Sequence, residues 1–387
     1  MRRSSRIISL ALPLCLLACS LDAHAQAFRF PEAQHGKGEL RYIQGIPVLN
    51  VRGTHAEMGE QIGILALKPA SEIIDMINGY ATRGVPDNVR PAADLIIATM
   101  VARFPKRYRD ELNAMAKAAE VDRSALMMAN TIIDLEEMVG CSSLLVDTNR
   151  SSTDGPLYGR NVDMPYVKGI ADFSLLIVYQ PDDGHAFAMP NLPGFLMLMS
   201  GMNCKGLALG SQSVGIPRDG SGRFNPLGIS SAVAGRSLME GCATVDEART
   251  WLEENHLMRC VSIAACDPQQ ELIMEVTTKR VLPRNPKNGL VYATNHFRHP
   301  ELGGDYQCWR YARLEQSQRW DRLGVREVAG YMDSVNQGLM TVHTMVFEPA
   351  SLRLHLAMGP GPATSLPLKI IDLEELFDQT GTETERP

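Results

Sequence analysis

The chain has 387 residues, 45% of them hydrophobic and 21% charged, and carries a formal net charge of −6. That is apolar material for a large core, in one large domain or two of medium size. The acidic balance, without a lysine/arginine run, excludes the electrostatic footprint of a nucleic-acid-binding protein.

Read in chain order, Arg2, Arg3 and Arg6 precede a nearly all-apolar stretch from residue 7 to 18. This is the form of an export signal, too short to span a bilayer comfortably. Ala23-His24-Ala25 is a small-x-small site that releases a soluble protein starting at Gln26, placed in the periplasm or secreted. Leu16-Leu17-Ala18-Cys19 resembles a lipobox, which instead makes Cys19 a lipid anchor and gives the chain its one route to a membrane. Soluble release is favoured because Leu17 is bulky for the second site. The expected units are a signal at 1–25, a helical segment at 26–140, a core at 141–377 and a loose tail at 378–387.

Residues 26–42 read as polar and irregular, and 45–51 as a strand. Residues 55–76 carry Met58, Ile62, Leu65, Ile73 and Ile74 at helical spacing, which predicts one helix or two. Helical patterns continue over 92–103, 109–119 and 124–139, the last with Asp134, Glu136 and Glu137 near its end. At Cys141 the character changes. Short β-type runs occupy 142–146, 157–160, 173–180, 185–189, 195–200 and 206–211, broken by Gly and Asp turns. Helices are predicted at 229–240 and 244–254, the second with Thr244 as N-cap and Glu247 completing a capping box. Strands return at 262–265, 271–277 and 290–294, helices at 309–320 and 325–335, and strands at 340–347 and 352–357. This order predicts an α+β fold, antiparallel sheets with helices outside them.

Removal of the signal leaves six cysteines, at 141, 204, 242, 260, 266 and 308. None shows zinc-type or CxxC spacing, so neither a metal nor any other cofactor is expected. Cys260 and Cys266 are a candidate disulfide in an oxidising compartment.

Cys141 follows Gly140 at the break between the helical and β-rich parts. Taken alone, it is a buried cysteine at a strand start more often than a nucleophile. The block Gly159-Arg160-Asn161-Val162-Asp163 changes that balance. If a hairpin turns near Asp154-Gly155, Arg160 to Asp163 return beside Cys141. A guanidinium lowers a thiol pKa, and a carboxylate orients the group that takes its proton. The competing reading is a weak surface ion pair.

Four blocks in order carry a resemblance: Cys141 itself, Gly159 to Asp163, Gly201-Met202-Asn203-Cys204-Lys205-Gly206-Leu207, and Ala293-Thr294-Asn295-His296-Phe297. Together they resemble the cysteine N-terminal-nucleophile hydrolases, most closely the acyl-coenzyme A:6-aminopenicillanate acyltransferase-like (peptidase C45) branch. Choloylglycine hydrolases and penicillin V acylases are more distant. The resemblance implies a four-layer αββα sandwich of two antiparallel sheets, preceded by a helical pro-segment. It also implies autocatalytic cleavage of the Gly140–Cys141 bond, with the two fragments staying associated.

By the same resemblance Cys141 supplies the nucleophilic sulfur and, through its new α-amino group, the base. Arg160 and Asp163 match the residues that tune thiol and amine. Asn295 matches an oxyanion donor, and Arg310 an arginine near the site, with Arg313 as its alternative. The implied reaction is cleavage of a small N-acyl amide through an acyl-enzyme, or transfer of the acyl group to an amine. A degenerate acyl-ligand-binding protein is the non-enzymatic alternative, motivated by Ser213, which stands where distant relatives have a second oxyanion-hole asparagine. His296 and Asn203 read as positioning or turn residues. Met189, Met197, Met199 and Met202 read as core, or as the lining of an acyl pocket.

Overall fold

The computed structural model describes residues 28–83, 86–135 and 140–378. The export signal, Cys19, Glu136, Glu137 and all of the tail but Asp378 lie outside the described residues.

Two β-sheets face each other, with helices on their outer sides. The N-terminal segment opens with β1 (Ala33–His35), β2 (Gly38–Ile43) and β3 (Ile46–Gly53). Residues 26–42, read from sequence as irregular, therefore include most of a hairpin. It turns at Gly36, whose φ of +57° lies in the left-handed region.

The segment continues with α1 (His55–Ile62), a π-type turn at Gly63–Leu67, α2 (Glu72–Ala81), α3 (Arg90–Ala102), α4 (Lys106–Ala119) and α5 (Arg123–Leu135). Thr54 caps α1 in a capping box, its side chain accepting from Glu57 N while the Glu57 carboxylate accepts from Thr54 N.

From Gly140 the chain is mainly strand. β4 (Gly140–Val146) and β5 (Leu157–Asp163) form an antiparallel hairpin. β6 (Leu175–Pro181), β7 (Phe187–Asn191), β8 (Ser200–Asn203) and β9 (Ala208–Ser213) follow. After α6 (Ser231–Gly241) and α7 (Val245–Glu254) come β10 (Val261–Cys266), β11 (Glu271–Val276), β12 (Val281–Arg284) and β13 (Leu290–Ala293). α8 (Trp309–Glu315), α9 (Val325–Ser334), β14 (Thr341–Glu348), β15 (Arg353–Met358), β16 (Lys369–Asp372) and α10 (Leu373–Phe377) complete the order.

One sheet has the strand order β1-β2-β3-β6-β7-β8-β9-β10-β11-β12, the other β13-β4-β5-β14-β15-β16. β3 runs parallel to β6, while β2 and β7 on either side are antiparallel to their neighbours. α6 and α7 cover the larger sheet and α9 the smaller, giving the four layers expected from the resemblance. The N-terminal segment is more than an appended helical piece, because its three strands extend the larger sheet. Position 140 is not a boundary of the fold.

Three sequence expectations are corrected. Residues 195–200 read as a strand, but they form a loop that reaches strand geometry only at Ser200. Asn130 of α5 takes up the backbone groups a ladder would use, donating to Gly194 O at 2.8 Å and accepting from Leu196 N at 2.7 Å. At α7, Thr244 Oγ1 accepts from Glu247 N at 3.2 Å as expected, but the Glu247 carboxylate accepts from Ala243 N at 2.7 Å, one residue before the cap. Cys260 and Cys266 are both free, as are the other four cysteines among the described residues. The two flank and end one extended strand, about 20 Å apart at roughly 3.3 Å per residue, far beyond disulfide reach.

Candidate active site

The register of the β4–β5 hairpin sets Cys141 opposite Val162 and Ser143 opposite Arg160. Side chains alternate along a strand, and directly opposed residues share a face. Cys141, Ser143, Arg160 and Val162 therefore project together toward the larger sheet. Cys141 and Arg160 are both fully buried.

Arg160 donates through Nη2 to Cys141 Sγ at 2.9 Å. The rest of its fork is held by the opposite sheet: Nε donates to Ser200 Oγ at 2.9 Å, and Nη2 to Ser211 O at 2.6 Å and Met199 O at 3.2 Å. The hydrogen-bond network sets the Gln212 amide with its oxygen inward, accepting from Arg160 Nη1 at 2.7 Å. No carboxylate among the described residues pairs with Arg160. A buried guanidinium so placed has the sulfur as its nearest potential anion, which favours thiolate at that atom.

Burial nonetheless dominates, and the Cys141 thiol lies above its ordinary range. The cations Arg160 and Arg310 oppose that shift, and the Asp163 carboxylate adds to it. A general base is therefore required for this sulfur to react.

Asp163, at the end of β5, lies opposite both Gly140 and Thr341. Its carboxylate accepts from Thr341 Oγ1 and from Gln337 Nε2, each at 2.6 Å. Asn295 follows β13. Its Oδ1 accepts from Cys141 N at 2.9 Å and its Nδ2 donates to Ser213 O at 3.0 Å. Arg310, in the first turn of α8, donates to Cys141 O at 2.7 Å, Ser142 Oγ at 3.1 Å and Asn295 Oδ1 at 2.9 Å, and lies 3.7 Å from Asp163 Oδ2.

The five residues singled out from the sequence, Cys141, Arg160, Asp163, Asn295 and Arg310, thus meet around one sulfur and one backbone nitrogen. Arg313 does not join them; its Nη1 bonds Gln316 Oε1 on the surface. His296 hydrogen-bonds Thr294 and stacks on Tyr306. Burial and the neighbouring guanidinia of Arg298, Arg310 and Arg284 push its pKa down to about 4. Asn203 is a buried turn residue, accepting from Lys205 N and Leu207 N. At position 213 the backbone carbonyl meets the site, by anchoring Asn295.

Sequence reasoning missed the groups that hold these residues. Gln337 and Thr341 fix Asp163 from a stretch with no motif, and Ser200, Ser211 and Gln212 fix Arg160 across the sandwich. The one available signal was small and polar residues on the strands facing Arg160.

An apolar pocket adjoins the site. Its lining includes Met164, next in the chain to Asp163, and Met199, whose carbonyl binds Arg160. Ile77 of α2 and Ile132 of α5 bring the N-terminal segment into its wall, with Phe195 and Met197 opposite. Met197 and Met199 therefore line a pocket, whereas Met189 and Met202 are core. Asn130, its one amide-bearing side chain, has both ends committed to backbone. No group of three or more His, Cys, Asp or Glu among the described residues could hold a metal ion. Asp134 instead caps α6, bonding Ser230 Oγ and Ser231 N.

The chain is 24% identical over 239 residues to an uncharacterized protein of Archaeoglobus fulgidus, covering 52% of this chain and 39% of that one. It thus spans well under half the length of that relative. Its structure is similar to an N-acylethanolamine-hydrolyzing acid amidase ortholog of Caenorhabditis elegans, at 14% identity over 54% of this chain and 93% of that one, with a TM-score of 0.44. It is also similar to a variant of the conjugated bile acid hydrolase of Clostridium perfringens, at 11% identity, 61% and 93% coverage and a TM-score of 0.45. Residues 148–323 match the profile of one family, beginning just after Cys141 and taking in the other four site residues. The matched family is described as acyl-coenzyme A:6-aminopenicillanic acid acyl-transferase, and the matching segment, somewhat less than half of the chain, contains Arg160, Asp163, Asn295 and Arg310.

Proposed function

We propose that this chain is an exported, self-cleaving cysteine amidohydrolase of the C45 type, acting on small N-acyl amides with an apolar acyl group. The observation that carries the reading is the placement of Cys141: sulfur against a buried guanidinium, backbone nitrogen against Asn295 Oδ1, directly after a glycine.

In the intact chain the sulfur attacks the Gly140 carbonyl carbon, and the acyl group moves from nitrogen to sulfur. Water then hydrolyses the thioester, leaving a Gly140 carboxylate and a free Cys141 α-amine. A free α-amine has a pKa of about 7.7–8 and accepts a proton near neutrality. Asn295 Oδ1 and Asp163 are the groups that hold it in place. In turnover the amine takes the thiol proton and the thiolate adds to the substrate carbonyl. The second N–H of Asn295 Nδ2, the first being held by Ser213 O, is the donor assigned to the developing oxyanion, as the family resemblance implies. The amine product leaves with the proton, and water releases the acid from the acyl-enzyme. The apolar cavity beside Met199 takes the acyl group.

Acyl transfer to an amine is the second reading, favoured by the description of the matched family. It differs only in which nucleophile resolves the acyl-enzyme, and an added amine that diverts product from acid to amide distinguishes it. Export, argued from the first 25 residues, makes hydrolysis the simpler outcome, since coenzyme A thioesters are scarce outside the cytoplasm.

Mass spectrometry of the natively purified protein tests the proposal. Two fragments meeting at Gly140 and Cys141 are expected, and a single chain for Cys141→Ala. An intact Gly140–Cys141 bond in the unaltered protein would sink it.

A further inference from the structure

A second, open groove lies away from Cys141 in the seam between α3–α4 of the N-terminal segment and α6–α7 of the core. Its lining mixes polar and apolar surface, the apolar part being the buried Phe104, Val233 and Met258 with Trp251 and Leu227 as a wall. Its rim is the turn from α3 to α4, where Arg103, Lys106, Arg107 and Arg109 fall within seven residues.

We infer that this groove is a binding site for an anionic amphiphile, a single apolar chain ending in a carboxylate, with the chain on the Phe104–Met258 floor and the head between Arg103 and Arg107. The sign of the head follows from an inventory of the charged groups. Lys106 is paired with Asp110 at 2.5 Å, and Arg109 closes α3 by donating to Ala102 O and Phe104 O. Arg103 meets only the Leu227 carbonyl, at 2.9 Å, and no carboxylate among the described residues. Arg107 is half-exposed, with Nε 3.5 Å from Glu240 Oε2. That carboxylate is itself buried and already accepts from Tyr108 OH at 2.9 Å.

The groove therefore presents guanidinium donors and no free acceptor for a cation. A carboxylate matches a guanidinium fork in two parallel hydrogen bonds. The three remaining polar side chains of the lining are committed locally: Ser230 Oγ donates to Asp134 Oδ2, Ser237 Oγ lies against Tyr108 OH, and Asn255 Nδ2 donates to Trp251 O. The apolar tail is assigned to the Phe104, Val233 and Met258 side of the groove. Because the walls come from both sides of position 140, an occupant bridges the two segments.

Trp251 reports on the groove directly. Titration of the full-length protein with decanoate, below its micelle threshold, should change tryptophan fluorescence saturably, and Trp251→Phe should abolish the change. Decyltrimethylammonium and butyrate, which lack the charge sign or the tail, should not reproduce it. Arg103→Glu/Arg107→Glu should weaken the midpoint by about tenfold or more, at least 1.4 kcal/mol. Arg103→Gln/Arg107→Gln serves in its place if circular dichroism shows that the double reversal does not fold. An equal response to the cationic amphiphile or to butyrate, or an unshifted midpoint in the variant that folds, overturns the inference. Self-cleavage and amide hydrolysis do not enter the readout, so its outcome is independent of the proposed function.

Discussion

Gln337 donates through Nε2 to Asp163 Oδ2 at 2.6 Å, and the same nitrogen sits 2.5 Å from where a side chain on Gly140 would begin. The Asp163 Cβ is 3.1 Å from that point. A side chain at 140 would thus press on the Gln337 amide that holds the site aspartate.

Gly140→Ala is accordingly expected to displace Gln337 and slow self-cleavage severely. Gly140→Ala/Gln337→Ala should recover part of the rate by making room. Time courses of fragment appearance check this, and a single variant that cleaves at the normal rate contradicts it.

Arg160→Met should remove the cation beside sulfur and the donor that ties Ser200 Oγ, Met199 O, Ser211 O and the Gln212 amide oxygen to β5. A loss on the order of 10²-fold in kcat/KM is expected, as for removal of one preorganised electrostatic group. The thiol alkylation profile should move to higher pH, since burial then acts on Cys141 with less opposition. Arg160→Lys keeps charge without the fork and should lie between. An unmoved alkylation profile in Arg160→Met would rule out the assigned electrostatic role.

Ile132→Trp should fill the cavity wall beside the site. Hydrolysis of long-chain acyl amides should fall at least about tenfold while acetyl amides are little affected, since overpacking penalises only occupants that reach that wall. Parallel losses across chain lengths would show that the cavity does not receive the acyl group.

Glu271 is buried near Asp147 and Asp267, and its Oε1 has no hydrogen-bond partner among the described residues. Burial, reinforced by the two carboxylates, raises its pKa to about 8. A carboxyl raised in the folded state is fully favourable below its unfolded pKa and loses that contribution as pH climbs to the folded value. Glu271→Gln should therefore change Tm little near pH 4.5. The stabilisation should grow with pH to on the order of 5 kcal/mol, levelling off above about pH 8. A pH-independent difference contradicts the account.

His55 of α1 contacts Glu111 at 2.8 Å and Glu240 at 3.4 Å. Burial alone would depress its pKa, but the two carboxylates outweigh burial and raise it. Its contribution is then complete below about pH 6.5 and lost as pH rises through the raised value. His55→Gln should cost about 2 kcal/mol at pH 6 and less in alkaline solution. Denaturant titrations at the two pH values provide the check.

Much of this was legible in the sequence because local signals and tertiary demands agreed. Cys141 and the Arg160–Asp163 block sit in one hairpin, so a turn at Asp154-Gly155 brings them together by local geometry. Asn295 and Arg310 arrive from more than 150 residues away, and only the family resemblance pointed to them. The hairpin before Ile43 was missed because exposed polar residues obscure the alternation in β1 and β2. β12 and β16 were missed because they are four-residue strands whose pairing is set by their neighbours. The loop at 195–200 misled because its apolar residues face a cavity and not a ladder.

β3 lies inside the larger sheet, flanked by β2 on one side and by parallel β6 on the other. An expression product starting at Cys141 would leave the whole length of β6 as a raw, apolar edge, open to pairing with another copy. Such a shortened gene is expected to yield inclusion bodies. A soluble product then depends on translating both halves as one polypeptide.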